Sequence, residues 1–111
     1  MQLNFIANAS VPSSSGKTLP VIDPSDGQVF DHLQRSNAQD IDDAVRAARQ
    51  CYDTVWGKLS AAERGRLLMR LSVKVGEHAD ELAALEQRDC GKPTKQARAD
   101  ALALVRYFEF Y

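Results

Sequence analysis

The sequence is poor in the features that mark specialised classes of protein. Its 111 residues include two cysteines, four prolines and one tryptophan, and no apolar run approaches the ~20 residues of a membrane span. Cys51 and Cys90 form neither a C-x-x-C pair nor a metal-binding spacing, so we expect reduced thiols in a cytoplasmic protein without a secretory signal. Fourteen basic and fifteen acidic residues are interspersed and give a net charge of −1. This balance predicts no nucleic-acid partner and no binding to an anionic membrane.

The length sets an upper limit of one ordinary domain, since domains usually contain ~100–150 residues. A two-lobed enzyme with separate cofactor and substrate domains does not fit into 111 residues.

Residues 1–35 have the pattern of short strands joined by turns. Apolar or β-favouring runs occupy 3–6, 19–22 and 28–33, and polar turn-rich segments lie at 12–17 and 23–27. Pro24 and Gly27 suit a tight turn, because proline fixes φ and glycine accepts a positive φ. The pattern predicts antiparallel β-hairpins.

Residues 36–111 change to a helical period. The pairs Ser36–Gln39 and Ser60–Glu63 each have the spacing of a capping box at the start of a helix. The first helix is expected to bury one apolar face, which comprises Ile41, Ala44, Val45, Ala48 and Tyr52. The second has Leu67, Leu68, Leu71 and Val75 as its apolar stripe.

Two further breaks divide the remaining helical region. Gly76 and His78 indicate a kink before a shorter helix, and Gly91-Lys92-Pro93 is typical of a helix end. Thr94 opens the last predicted helix, which runs into the aromatic residues of Tyr107–Tyr111. Aromatic side chains can each bury ~150–250 Å², so we expect a partner or further sequence to cover this patch.

The chemically interesting residues form no convincing catalytic group. Gly16-Lys17-Thr18 resembles the end of a phosphate-binding P-loop, but valine stands where its first glycine is needed, and no G-x-G-x-x-G occurs. Cys51 is expected in the core. Cys90 lies at a helix C-terminus, where the dipole disfavours a thiolate, and His32 and His78 stand near neither cysteine. We predict no catalytic and no cofactor-binding residue.

Three arginines of the second helix leave two interpretations open. Arg64, Arg66 and Arg70 fit a solvated face with pairs inside the helix. Alternatively, one of them holds another part of a larger domain.

Several segments, taken in order, resemble the aldehyde dehydrogenase superfamily. They are Phe5–Asn8, Gly16–Thr18, Val21–Pro24, Gly27–Val29, Asp40–Val45, Ala47–Arg49, Trp56–Leu59, Glu63–Leu68, Asp80–Glu86, Gly91–Pro93 and Arg106–Tyr111. Each segment is weak evidence alone, whereas the ordered set covers almost the whole chain. The departures are local: Ala7-Asn8-Ala9 lacks a turn glycine, and Cys90 replaces the usual threonine or asparagine.

The resemblance implies a partial α/β fold, in which N-terminal β-hairpins and three to four helices flank a Rossmann-like sheet that these residues do not contain. It implies an enzyme that oxidises aldehydes to carboxylic acids with NAD or NADP. Its catalytic and oligomerisation parts are expected beyond this chain, and neither Cys51 nor Cys90 matches the nucleophile's motif. We therefore expect residues 1–111 to be the N-terminal part of the cofactor domain, to bind no cofactor alone and to be inactive alone.

The resemblance also implies partners and one ion site. The partners are the remainder of the dehydrogenase chain and the subunits of a homo-oligomer. Backbone carbonyls of Val21 and Ile22, with the carboxylate of Asp89, correspond to a structural monovalent-cation site, although Asp89 acting as a local cap is equally favoured. The competing hypothesis for the whole chain is a non-catalytic helical interaction module, or a gene remnant, that uses the Tyr107–Tyr111 patch.

Overall fold

A computed structural model describes all residues from Met1 to Tyr111. The chain forms two compact units, one of residues 1–22 and 28–58 and the other of residues 23–27 and 59–111. None of its helices combines the length and the apolar character that crossing a bilayer requires.

The first unit contains two antiparallel hairpins and one helix. Strand β1 (Asn4–Ile6) pairs with β2 (Ala9–Val11), and β3 (Thr18–Ile22) pairs with β4 (Val29–Gln34) with an irregularity between Val21 and Ile22. The predicted hairpins are therefore confirmed, although β2 was not among the predicted strands. Its turn consists of Ala7 and Asn8, both with positive φ (53° and 63°).

Helix α1 (Ala38–Thr54) is followed by a 3₁₀ turn, Trp56–Lys58. The predicted cap at Ser36 is wrong by one residue. Asn37 caps the helix instead, because its side chain accepts from the N–H of Asp40 while the Asp40 carboxylate accepts from the N–H of Asn37. The Ser36 hydroxyl donates to Asn4 Oδ1 at 3.0 Å.

The predicted burial of α1 is also wrong. Ile41, Val45 and Tyr52 are 58%, 62% and 54% exposed, and Cys51 is exposed rather than part of a core. The periodicity correctly indicates a helix, but the residues of this chain do not cover its apolar face.

The second unit consists of three helices: α2 (Ala61–Glu77), α3 (Ala79–Cys90) and α4 (Thr94–Phe110). The Ser60–Glu63 capping box is confirmed, and His78 separates α2 from α3 as predicted. Both α2 and α3 pack against α4. The buried apolar side chains of this unit are all alanines, namely Ala79, Ala83, Ala97 and Ala101. Two hairpins and four helices confirm the expected partial α/β fold.

Candidate functional site

The turn between α3 and α4 contains the highest concentration of polar interactions in the second unit. Gly91 ends α3 with a left-handed φ of 71°, and its N–H donates to the carbonyl of Gln87 at 2.9 Å. This is a glycine C-cap, in which the absence of a Cβ makes positive φ inexpensive. Pro93 follows as the N-cap of α4, so the predicted helix end at 91–93 is confirmed.

Lys92 joins the two helices that this turn connects. Its Nζ donates to Asp100 Oδ2 of α4 at 2.8 Å and also to the Glu86 carboxylate of α3. The hydrogen bonds to Asp100 and Glu86 raise the pKa of Lys92 above its ordinary value. The hydrogen bond from Lys92, followed by that from Gln96, lowers the pKa of Asp100. The ammonium group is committed to these two carboxylates and not presented to a substrate.

An open cavity of about 440 Å³ lies beside this turn, and its wall includes the turn at residues 23–27. Arg88 Nε is 3.6 Å from Asp23 Oδ2, and Asp23 Oδ1 accepts from the hydroxyl and the N–H of Ser25. The Ser25 hydrogen bonds hold the pKa of Asp23 below its usual range. The charged groups that line this cavity already have partners within the chain. We therefore interpret the cavity as part of the structural contact between this turn and the turn at residues 23–27, and not as an open binding site.

The thiols and imidazoles do not form a catalytic arrangement. Cys90 Sγ is 3.0 Å from the carbonyl of Glu86, to which it donates, and this bond satisfies the thiol as a local helix-end donor. Cys51 is an exposed thiol of α1. His78 Nδ1 is 2.9 Å from Glu81 Oε2, so it pairs within the start of α3.

Sequence reasoning missed the most elaborate hydrogen-bonded group of the first unit, which centres on Asp40. Asp40 is 7% exposed, and its carboxylate accepts from the Ser13 hydroxyl at 2.7 Å, from the Ser14 N–H at 2.9 Å and from the Asn37 N–H at 2.9 Å. These bonds, that from Ser13 most of all, hold the pKa of Asp40 well below its usual range. The spacing Asn37-x-x-Asp40 was the available signal.

The same group explains what the serine-rich loop does. Ser13 and Ser15 donate to the carbonyl of Arg35, and Gly16 closes a turn onto the carbonyl of Ser13. The loop leads into β3, whereas a P-loop must open a helix. Gly16-Lys17-Thr18 therefore does not have the structural context of a phosphate-binding P-loop.

The residues predicted to hold a monovalent cation are placed as follows. Val21 and Ile22 lie on β3 at the irregularity in its pairing with β4, and Asp89 is exposed in the last turn of α3. No cluster of three or more histidine, cysteine, aspartate or glutamate side chains is arranged to hold a metal ion. The cation site stays a prediction.

The C-terminal aromatic patch, Tyr107–Tyr111, is largely exposed. Tyr107, Phe110 and Tyr111 are 62%, 81% and 80% exposed, and the rings of Phe110 and Tyr111 meet edge to face at 5.1 Å. Together with the apolar face of α1, this patch shows that the chain leaves large hydrophobic side chains uncovered on both units.

Comparison with known proteins gives a consistent result. The aldehyde dehydrogenase family model matches residues 11–111. NAD(P)+-dependent aldehyde dehydrogenase 2 of Saccharomyces cerevisiae is 43% identical over 108 residues, which are 94% of this chain and 21% of the yeast protein. The mitochondrial aldehyde dehydrogenase family 2 member B4 of Arabidopsis thaliana is 45% identical over 103 residues, which are 91% of this chain and 19% of the plant protein.

Solved structures give the same similarity in three dimensions. A protein from Burkholderia cenocepacia assigned as an aldehyde dehydrogenase is 57% identical with a TM-score of 0.96, and the match covers 98% of this chain and 23% of that one. A point mutant of betaine aldehyde dehydrogenase from Staphylococcus aureus, solved with NAD+, is 27% identical with a TM-score of 0.94 over 98% of this chain and 22% of its own. This chain thus spans about a fifth of the length of its relatives.

Proposed function

Because the chain belongs to the aldehyde dehydrogenase family, we propose that it forms the N-terminal part of an enzyme that oxidises aldehydes to carboxylic acids with NAD or NADP. The observation that carries the proposal is the similarity over 98% of the chain to a structure that is 57% identical. A yeast relative named for NAD(P)+ and a neighbour solved with NAD+ support the cofactor class.

The part that these residues play in such an enzyme is structural. In the proposed reaction, the bound cofactor supplies the hydride acceptor, and an aldehyde and water yield a carboxylic acid. Neither cysteine of this chain has a base hydrogen-bonded to it, and Gly16 lies in a turn before the strand β3. We therefore propose that residues 1–111 bind no cofactor and carry no activity by themselves. The hydrogen-bonded turn around Lys92 and the Asp40 group rigidify this part of a cofactor-binding domain.

The finer assignments follow from the same proposal. Residues 1–35 and 36–111 are the β-hairpin and helical regions of the cofactor domain. The remainder of the dehydrogenase chain and the other subunits of a homo-oligomer are the partners. The compartment proposed is the cytoplasm, on the grounds of two free thiols.

One observation favours a second candidate function. The aromatic patch is 62–81% exposed at Tyr107, Phe110 and Tyr111, as expected of a small helical module that binds another protein. The DNA downstream of codon 111 distinguishes the two hypotheses. An open frame that encodes a cysteine nucleophile and a glycine-rich cofactor turn supports the enzyme, whereas an immediate stop codon supports the module or a gene remnant.

The activity itself is tested with the complete reading frame. The expressed protein should reduce NAD or NADP in the presence of an aldehyde, measured by the absorbance of the reduced nicotinamide, and residues 1–111 alone should not. A complete frame that leaves both cofactors oxidised with short aliphatic, aromatic and betaine aldehydes would contradict the proposal.

The cation site is proposed with Val21 and Ile22 carbonyls and the Asp89 carboxylate as ligands, since hard oxygen donors suit such ions. Potassium or sodium chloride should raise the melting temperature relative to choline chloride at equal ionic strength. The Asp89→Ala variant should lose this difference, and the Asp53→Ala variant on α1 should keep it. An equal response in all three proteins removes the site.

A further inference from the structure

An apolar groove runs along the face of α2 and ends at the residue before its cap. The groove is open to solvent, has a volume of about 580 Å³ and is lined by Leu59, Glu63, Arg66, Leu67, Met69 and Arg70. Leu59 and Leu67 are half-buried on its floor, and Met69 is 48% exposed. Filling an open groove of this kind with an apolar side chain is favourable by about 25 cal/mol for each Å² of apolar surface removed from water.

The charges on the groove that lack partners within the chain are both positive. Arg66 and Arg70 make no ion pair and no hydrogen bond within the chain, and they stand one helical turn apart, where Cβ atoms lie ~5–6 Å from each other. The single carboxylate on the groove, Glu63, already accepts from the N–H and the hydroxyl of Ser60 at 2.8 and 2.7 Å.

Several other arginines of the chain have partners within it, in contrast to this pair. Arg46 pairs with Asp43 at 3.0 Å and Arg98 with Asp80 at 2.7 Å, whereas Arg64 donates to the carbonyl of Leu59 at 2.7 Å. Arg64 therefore makes a local contact, as in the first of the two interpretations that the sequence left open for the arginines of α2. Arg66 and Arg70 are the arginines of α2 free to meet carboxylates from outside the chain.

We propose that this groove receives an acidic amphipathic segment from the remainder of the dehydrogenase. An apolar side chain of that segment enters between Leu59, Leu67 and Met69, and carboxylates one turn or two strand positions apart pair with Arg66 and Arg70. Arginine forms bidentate pairs with carboxylates, which fixes the orientation of the segment as well as its place. This inference rests on the proposed function, because the relatives are about five times longer than this chain.

The test uses the 111-residue chain and a set of overlapping peptides. The peptides are about 15 residues long, which allows about four helical turns, and cover the part of the 57%-identical Burkholderia cenocepacia protein beyond its similarity to this chain. A small group of neighbouring peptides that combine a leucine-like residue with two carboxylates should bind, as measured by fluorescence anisotropy. Binding should weaken as salt is added, because screening reduces attraction between exposed charges.

Matched variants make the result specific. The double variant Arg66→Gln/Arg70→Gln should weaken binding by about tenfold, given that an exposed ion pair contributes up to ~1 kcal/mol and 1.4 kcal/mol is a factor of ten. Met69→Glu should abolish binding, since it places in the groove a negative charge that repels the carboxylates of the peptide. Arg46→Gln/Arg98→Gln removes the same charge elsewhere and should leave the Kd unchanged. Circular dichroism checks that each variant keeps its helices.

Three results would overturn the proposal. The first is that no peptide binds the unaltered chain, and the second is that binding is indifferent to the arginine pair or prefers lysine-substituted peptides. The third is that the chain self-associates and that the double variant Arg66→Gln/Arg70→Gln no longer does so, which would assign the groove to a second copy of the chain. None of these measurements involves turnover, so failure here is separate from failure of the aldehyde assay.

Discussion

The contact between Gly91 and Pro24 allows the cost of one methyl group to be worked out. A Cβ added at Gly91 would lie 3.0 Å from Cγ of Pro24, and the backbone there has a φ of +71°. Gly27 has nearly the same φ, +73°, but a Cβ added to it would meet nothing within 4 Å. Gly91→Ala and Gly27→Ala therefore share the conformational penalty and differ in the contact.

The expected magnitudes follow from these two contributions. A left-handed backbone costs a residue with a Cβ ~1–2 kcal/mol, and the lower entropy of the unfolded alanine chain returns ~0.4–1 kcal/mol. Gly27→Ala should then destabilise by about 1 kcal/mol. Gly91→Ala adds the displacement of Pro24, which costs ~1 kcal/mol at the lower end of overpacking penalties. The turn resists this displacement because the N–H of Gly27 donates to the Asp23 carbonyl at 2.8 Å. We expect about 2 kcal/mol in total.

Urea unfolding followed by far-ultraviolet circular dichroism measures both variants. With a slope of ~1–3 kcal/mol/M, Gly91→Ala should lower the midpoint by about 1 M and Gly27→Ala by about half as much. Equal midpoints for the two variants would show that Pro24 does not constrain the end of α3. A Gly91→Ala variant as stable as the unaltered chain would refute the assignment of a left-handed cap as well.

Three further predictions test local features of the structure. Gly65→Ala should stabilise the chain by ~0.5–1 kcal/mol in the same urea assay, because Gly65 lies inside α2 and a Cβ added there would meet nothing within 4 Å. Unchanged stability would contradict a continuous helix at this position. Ala7→Gly should stabilise the first hairpin by about 1 kcal/mol because the φ of Ala7 is +53°. Ala9→Gly in β2 should destabilise the hairpin instead. If Ala9→Gly were the stabilising change and Ala7→Gly the destabilising one, the left-handed turn at Ala7 would be contradicted. Since the pKa of Asp40 is lower in the folded state, its contribution is complete above the unfolded value near 3.8 and is lost as pH falls below it. Asp40→Asn should therefore flatten the fall in melting temperature between neutral and acidic pH, and an undiminished slope would contradict the Asp40 group.

The sequence predicted elements well where one strong local signal was present. The Ser60–Glu63 box and the Gly91–Pro93 end are set by hydrogen bonds and dihedral angles within a few residues, and both are confirmed. The start of α1 failed because Ser36–Gln39 and Asn37–Asp40 offer overlapping boxes. Tertiary contacts chose between them, since the Asp40 carboxylate also holds Ser13 from 27 positions earlier in the chain.

Burial was less predictable than secondary structure, and the site less predictable again. Periodicity shows that α1 is amphipathic but does not show which protein covers Ile41 and Val45. In the same way, the sequence left two roles open for Arg66 and Arg70, a solvated face or a contact with another part of a larger domain. The pairing of a surface charge depends on rotamers and neighbours that spacing does not specify. The structure separates them from Arg64 by showing which guanidinium already has an acceptor.

The second unit gains its stability from the close approach of small residues, and this leads to a last prediction. Ala97 and Ala101 of α4 are 1% and 8% exposed, and Ser72 of α2 is 1% exposed. Leu102, on the same helix, is 41% exposed. Ala97→Leu should therefore cost ~1–3 kcal/mol, because close-packed helices cannot admit extra methylene groups without shifting.

Leu102→Ala should cost less than the ~2–5 kcal/mol of a buried leucine, because part of the side chain is already in water. Urea midpoints of the two variants give the comparison directly. If Leu102→Ala were the more damaging change, the large side chains would carry the core, contrary to the packing described. If Ala97→Leu is more damaging, the helices are held by alanines while leucine and the aromatic residues of Tyr107–Tyr111 remain available. That distribution is the one expected of a segment whose large apolar side chains pack against further protein.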